Sequence, residues 1–296
     1  MSNTAIITGG SGFVGSNLAR FLVQKGWNIH LILRKSSNTS NIEDIIDKVS
    51  IFYHDNNISA LIEYFQTTDA DIVYHLASYV KTEHEPSDII KLINSNVLFS
   101  TEIIEACSKA SIKYFINTGT YWQYYESEEY NPVDLYAATK EAFEKIIQFY
   151  TENGNLKAMT LQLYDTYGEN DTRPKLINLL HQFADEKKIL EMSLGEQRLF
   201  LTHISDICQA YYQAFFNIIE EFESFSSYAI RPNKSHSLKE LIMLFNSINE
   251  KSITINWGKR AYRNREVMIP NTKIEILKKW NCKISLKEGL ERLKDD

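Results

Sequence analysis

Residues 4–26 run from a short apolar stretch through a glycine-spaced turn into an amphipathic segment, and that order leaves few folds open. Residues 5–7 read as a strand, Gly9, Gly12 and Gly15 follow at three-residue spacing, and Leu18, Phe21 and Leu22 mark one face of a helix ending at Gly26. Glycines spaced this way serve tight turning, close approach of backbone to a phosphate, and close packing of helix on strand. The free N–H groups and positive dipole end of the helix suit a pyrophosphate. A strand before and a helix after separate this from an ordinary glycine turn. The expected fold is α/β, a Rossmann-like doubly wound parallel sheet.

The next strand, over residues 28–33, helps to choose the dinucleotide. NAD sites usually carry Asp or Glu about 20 residues past the glycines, holding the ribose hydroxyls. This chain has Arg34-Lys35-Ser36-Ser37 there. A guanidinium fork, an ammonium and two hydroxyls suit a 2′-phosphate, so NADP is the expected cofactor and NAD the alternative.

Strands near 50–54, 72–76, 113–117 and 158–164 alternate with helices near 59–66, 94–110 and 136–152. That rhythm implies right-handed crossovers and helices on both sheet faces. It breaks over 165–196 and again after residue 232. The expected division is a dinucleotide-binding body over 1–164, with 197–232 returning to it, and a smaller substrate-binding lobe over 165–196 and 233–296. Such a lobe would cover the carboxyl ends of the strands, where these sheets bind ligands.

A net charge of −6 without a basic block argues against a nucleic-acid partner. No leader pattern and no apolar run of about 18 residues is present, so a cytoplasmic protein without a membrane partner is expected. Cys107, Cys208 and Cys282 lie far apart and read as reduced thiols, with no metal site.

The chemistry is carried by Tyr136-Ala-Ala-Thr-Lys140. Four residues apart on a helix, Tyr136 and Lys140 project from one face. A nearby ammonium favours the phenolate, making the phenol a workable proton donor to a carbonyl oxygen receiving hydride. Thr120 lies just past an apolar strand and can hydrogen-bond the same oxygen.

With these residues in place, the sequence resembles the extended short-chain dehydrogenase/reductase family, the nucleotide-sugar epimerases, dehydratases and reductases. The resemblance rests on Thr8-Gly9-Gly10-Ser11-Gly12-Phe13-Val14-Gly15, on Asp55-Asn56, on His75-Leu76-Ala77-Ser78 and on Asn96-Val97. It implies cofactor contacts from Gly9, Gly12, Phe13, Val14, Gly15, Arg34, Lys35, Asp55, Asn56, Leu76, Ala77, Ser78, Asn96, Tyr136 and Lys140. Tyr136, Lys140 and Thr120 match the family's catalytic set. The segment from Gln162 through Asp165 to Gly168 resembles the family's Arg-x-x-Asn-x-Tyr-Gly, departing from it at Gln162 and Asp165. The segment Gly195 to Asp206 resembles a family segment that carries Arg before Asp-Phe, with Leu199 in the place of that Asp, and Arg263 to Met268 resembles a second phosphate-facing stretch. The resemblance thus implies substrate contacts from Thr120, Tyr121, Asp165, Lys175, Arg198 and Arg265, with Arg198 on the substrate diphosphate. It also implies a homodimer through the helices near 94–110 and 136–152.

Residue types separate the reactions. Dehydratases of this family carry Asp-Glu after the catalytic Thr; Tyr121-Trp122 stand here and cannot do that acid–base work. The expected activity is NADPH-dependent reduction, at C4, of a CDP-, dTDP- or GDP-linked 4-keto-6-deoxy or 3,6-dideoxy hexose, as in bacterial surface-polysaccharide synthesis. An NAD-dependent 4-epimerase is the alternative, because it needs only Tyr136, Thr120 and held NAD. A non-catalytic dinucleotide sensor is a third reading; such proteins commonly lose the Tyr or the Lys, and both are kept here.

Overall fold

The computed structural model describes residues 2–126 and 129–294, so Met1 and residues 295–296 at the ends of the expected spans lie outside it. Seven strands form one parallel sheet. They are β1 (Thr4–Thr8), β2 (Asn28–Leu33), β3 (Val49–Tyr53), β4 (Ile72–His75), β5 (Tyr114–Thr120), β6 (Lys157–Leu163) and a last strand, Phe225–Ile230. In space the order runs from Phe225–Ile230 through β6, β5, β4, β1 and β2 to β3. Strand order reverses between β1 and β4, and the crevice outside that reversal is where such sheets take their ligands.

Burial on both faces explains the unbroken apolar strands. In β1, Ala5 and Ile7 point into one core and Ile6 into the other. The first core is closed by α1 (Phe13–Gln24), the second by α2 (Ile58–Thr68). Beyond α2 come α3 (Ile89–Ile93), α4 (Phe99–Lys109) and α5 (Leu135–Glu152). On α5, Phe143 and Ile147 are four residues apart and fully buried, contributing roughly 1.5–3 kcal/mol each. Asp134 caps that helix by accepting the Ala137 N–H at 2.8 Å.

Residues 94–110, expected as one helix, form a π-helical turn, Asn94–Leu98, followed by α4. The wider turn places Asn96 in the interior, a device common at functional sites. Its side chain accepts from the Ser78 hydroxyl (3.0 Å) and the Tyr79 N–H (2.7 Å) and donates to Thr139 Oγ1 (2.9 Å). Asn96 thereby ties the loop after β4 to α5.

The remaining helices are α6 (Leu176–Asp185), α7 (Ile204–Glu220), α8 (Leu238–Ile248) and α9 (Leu286–Arg292). α7 packs with α1 on the sheet, whereas α6, α8 and α9 enclose a separate core around Leu180, Leu241, Phe245 and Leu290. Short strand pairs complete this lobe, including Ile189–Met192 with Thr254–Trp257. The stretch after residue 232 does not stay in the lobe throughout. Ile276 bridges to Ala229, and Leu277 and Trp280 pack in the α1–α7 core, because the exposed edge of Phe225–Ile230 offers free backbone groups there. No helix among the described residues is long and apolar enough to cross a membrane.

Candidate active site

Backbone closeness shapes the turn after β1. Gly9 has φ +70°, and a Cβ there would lie 2.7 Å from the Ala77 nitrogen. A Cβ on Gly15 would lie 2.2 Å from the Gly9 carbonyl oxygen. Gly12 starts α1 without a side-chain cap, leaving the first N–H groups of the helix open to an anion. The opposite wall is pinned by Thr8, whose Oγ1 accepts the N–H groups of Leu76 and Ala77 at 3.1 Å each. Its one hydrogen then goes to His75 Nδ1 at 2.9 Å, so His75 carries its proton on Nε2 and donates to Ser100 at 2.8 Å. Burial holds that imidazole well below its usual pKa, neutral at pH 7.

Arg34, Lys35 and Ser36 are exposed just past β2. A tight turn, with the Arg34 N–H donating to Ser37 Oγ at 3.1 Å, presents them, and the Arg34 guanidinium has no partner among the described residues. Asp55 and Asn56 stand exposed past the neighbouring strand, Asn56 at φ +67°. The glycine cradle, uncapped helix start and unpaired Arg34 fit a dinucleotide.

Tyr136 and Thr120 converge on one cleft of about 480 Å³ between the strand ends and the lobe. Thr120 Oγ1 accepts the Trp122 N–H at 3.3 Å, which leaves its own O–H to donate. Burial pushes the Tyr136 phenol above its ordinary pKa, with the Asp134 carboxyl adding to the rise and Ser78 opposing it. The upward direction differs from the expectation that Lys140 would draw the phenol down. The Lys140 ammonium is 1% exposed, and burial itself lowers it to about 8, opposed by Glu144 on the next turn of α5. At neutral pH the phenol is therefore protonated, the form a proton donor needs.

Asp165 lies in the same cleft, one Oδ buried without a hydrogen-bond partner. Burial raises its carboxyl to about 6, against the pull of Lys175 and Arg263, which also line the cleft. Tyr121 stacks on Tyr164 with centroids 4.6 Å apart, and Trp122 meets Tyr136 edge-on at 6.5 Å.

Two expected substrate residues are placed elsewhere. Arg198 donates to Ser235 twice at 2.8 Å and pairs with Glu240 at 3.4 Å, while its neighbours Gln197 and Leu199 line the cleft. Strand alternation turns Arg198 to the opposite side. Arg265, at φ +61°, stacks 4.3 Å over Tyr125 and bonds Asn131. The cations that do reach the cleft are Arg173, Lys175, Arg260 and Arg263. Arg263 is held by Glu266 through two bonds of 2.9 and 3.0 Å, and this three-residue Arg–Glu spacing was the available sequence signal. Arg173 is paired with Asp171 by two 2.7 Å bonds and lies 4.3 Å over the Phe13 ring, joining the lobe to the glycine turn.

The model of the NAD dependent epimerase/dehydratase family matches residues 5–223. The chain belongs to this family. It is an NAD(P)-dependent nucleotide-sugar enzyme of the oxidoreductase type. A CDP-abequose synthase of Yersinia pseudotuberculosis is 28% identical over 284 residues, covering 96% of each chain. The human dTDP-D-glucose 4,6-dehydratase is 26% identical over 314 residues, 97% of this chain and 87% of that one. Among solved structures, a UDP-glucose 4-epimerase of Stenotrophomonas maltophila with bound NAD superposes with a TM-score of 0.86 at 15% identity, over 100% of this chain and 97% of that one. At that identity the likeness shows the shared fold. Within the family, the glycine turn, the Thr120–Tyr136–Lys140 set and a cation-lined cleft occur together in this chain.

Proposed function

We propose that this family member is an NADPH-dependent reductase of a nucleotide-linked 4-keto-6-deoxy or 3,6-dideoxy hexose, acting at C4 in bacterial surface-polysaccharide synthesis. One observation carries this reading. The Thr120 hydroxyl, which accepts the Trp122 N–H and keeps its own O–H to donate, and the protonated Tyr136 phenol face one cleft, and the residues after Thr120 are aromatic. Two O–H donors suit a carbonyl oxygen that gains negative charge, and the stacked Tyr121 leaves no acid–base pair where dehydratases need one. The resemblance to CDP-abequose synthases over nearly the whole chain supports the same reading.

A bound nicotinamide supplies the hydride. Tyr136 gives its phenolic proton to the C4 oxygen while Thr120 orients that oxygen by a donated hydrogen bond. Lys140, buried one turn along α5, would hold the cofactor ribose. Arg260, Arg263 and Lys175 neutralise the substrate diphosphate at the cleft wall. The testing experiment incubates the protein with NADPH and three compounds: CDP-4-keto-3,6-dideoxyglucose, dTDP-4-keto-6-deoxyglucose and GDP-4-keto-6-deoxymannose. Stoichiometric loss of NADPH absorbance with a 4-hydroxy product supports the reductase. Interconversion of 4-hydroxy epimers with bound NAD and no net cofactor consumption supports the epimerase instead.

Arg34→Ala is expected to weaken NADPH binding by about 1.5–3 kcal/mol and NADH binding little, because only the 2′-phosphate loses a charged contact. Titration of both cofactors checks this, and equal losses would count for NAD. Arg263→Ala should raise KM for the sugar nucleotide about 10- to 150-fold with kcat spared, as for a contact made equally in ground and transition states. Arg198→Ala should leave KM unchanged and shift stability by about 0–1 kcal/mol, the range of a surface pair. The inverse result would return the diphosphate to Arg198. A homodimer is part of the same proposal: Ile90, Leu98 and Phe149 are exposed along α3, the π-helical turn and α5. Light scattering at micromolar concentration should give twice the 34.4 kDa chain mass.

A further inference from the structure

Between the strand end bearing Thr120 and the middle of α5 lies a buried polar cluster that the reading above leaves unused. Gln123 is 0% exposed and closes the short 3-10 turn Tyr121–Gln123 after β5. Its Oε1 accepts the Thr120 N–H at 3.0 Å. Its Nε2 donates to Glu141 Oε2 at 2.8 Å and to Glu144 Oε1 at 2.9 Å. A side-chain amide has two N–H donors, and both are committed to carboxylates. Flipping the amide would set its oxygen against two acceptors, so the orientation is fixed by chemistry. Glu144 is held from the other side by Gln162 Nε2 on β6, at 2.9 Å. Gly119 leaves room for that contact, since a Cβ there would lie 2.5 Å from Gln162 Oε1.

The cluster joins two elements that share one task. Thr120 ends β5, whereas Tyr136 starts α5, the helix that carries Glu141 and Glu144. The Thr120 N–H takes a side-chain acceptor that is itself anchored to α5. A buried polar network costs desolvation, and its return is a single, rigid geometry. We propose that Gln123 is a positioning residue, bridging the Thr120 backbone to the Glu141 and Glu144 carboxylates so that the Thr120 hydroxyl keeps its place relative to Tyr136. This inference rests on the proposed role of Thr120 as a donor to the substrate oxygen. The ionisable groups facing the carboxylate pair are Lys140 and Lys145 on α5, with Tyr124 and Tyr130 from the preceding loop. Burial raises the Glu144 carboxyl to about 7.

Two variants of the full chain test the proposal, assayed with NADPH and whichever of the three named sugar nucleotides is turned over. Gln123→Met keeps the volume and removes all three bonds. It should lower kcat on the order of 10- to 100-fold, the cost of a misplaced group, with KM and NADPH affinity held within about twofold. Gln123→Glu keeps the acceptor for Thr120 but sets a third carboxyl against the pair. Its kcat relative to wild type should fall as the pH rises from about 6 to about 9, because only a protonated carboxyl can donate to its neighbours. A folded Gln123→Met with wild-type kcat, or with KM and kcat altered together, overturns the proposal. Should that variant fail to fold, Gln123→Glu decides: a relative pH profile that stays flat overturns it. Thr120→Val separates the two levels. Loss of turnover there beside intact Gln123 variants removes this inference alone, and full turnover removes both it and the reading beneath it.

Discussion

Tyr136→Phe is expected to bind NADPH as the wild type does and to lose 10²–10⁴-fold or more in kcat, the usual contribution of a positioned general acid. The ring keeps its edge-on contact with Trp122 at 6.5 Å, while its hydrogen bond with Ser78 goes with the hydroxyl. The lost group is the proton donor. Thr120 Oγ1 remains as a second donor to the same oxygen, so residual turnover above background is expected. Single-turnover kinetics with preformed NADPH complex separate this from a binding defect. Near-normal turnover would remove Tyr136 from the mechanism, and with it the reason for reading the cleft as a reductase.

Gly15→Ala should cost both stability and cofactor affinity. Its Cβ would sit 2.2 Å from the Gly9 carbonyl oxygen and 2.7 Å from the Gly9 carbonyl carbon, where carbon contacts need about 3.5 Å. Neither neighbour is a flexible side chain, so the turn itself must move. Overpacking of this kind costs about 1–3 kcal/mol in stability. Displaced N–H groups at the start of α1 should weaken NADPH binding by a further 10- to 150-fold, or about 1.5–3 kcal/mol. Gly26→Ala is the control: at φ +81° it is strained, yet nothing lies within 4 Å of its Cβ and it follows the C-terminal end of α1, opposite the glycine turn. It should lower the melting temperature and leave NADPH affinity unchanged. Equal losses of affinity in the two variants would show that the turn acts only through overall stability.

Much of the site was legible along the chain because its signals are local. The glycine spacing, the four-residue step from Tyr136 to Lys140 and the Thr at a strand end each depend on one element's geometry, which neighbouring residues dictate. Fold class followed from the same periodicities. Segments whose place depends on a partner far away in sequence were less legible. Arg198 and Arg263 both belong to plausible phosphate-facing segments, and only the pairing of Arg198-Leu199 with His236-Ser237 decides that Arg198 turns to Ser235. The π-helical turn at Asn94–Leu98 has no period of its own, and the interior position of Asn96 selects it. Residues 274–280 carry no strand pattern, and they join the body because the outer sheet edge at Ala229 has backbone groups to satisfy.

By itself the sequence determined the doubly wound sheet, the glycine turn after its first strand, and the placing of Thr120 at a strand end and of Tyr136 and Lys140 on one helix face, since each rests on short-range spacing and residue type. Only the tertiary structure decided which cations face the cleft, how Gln123 bridges two elements, and which way burial moves the Tyr136 phenol. Those are matters of packing and desolvation, set by residues that lie far apart in the chain and meet only when it folds.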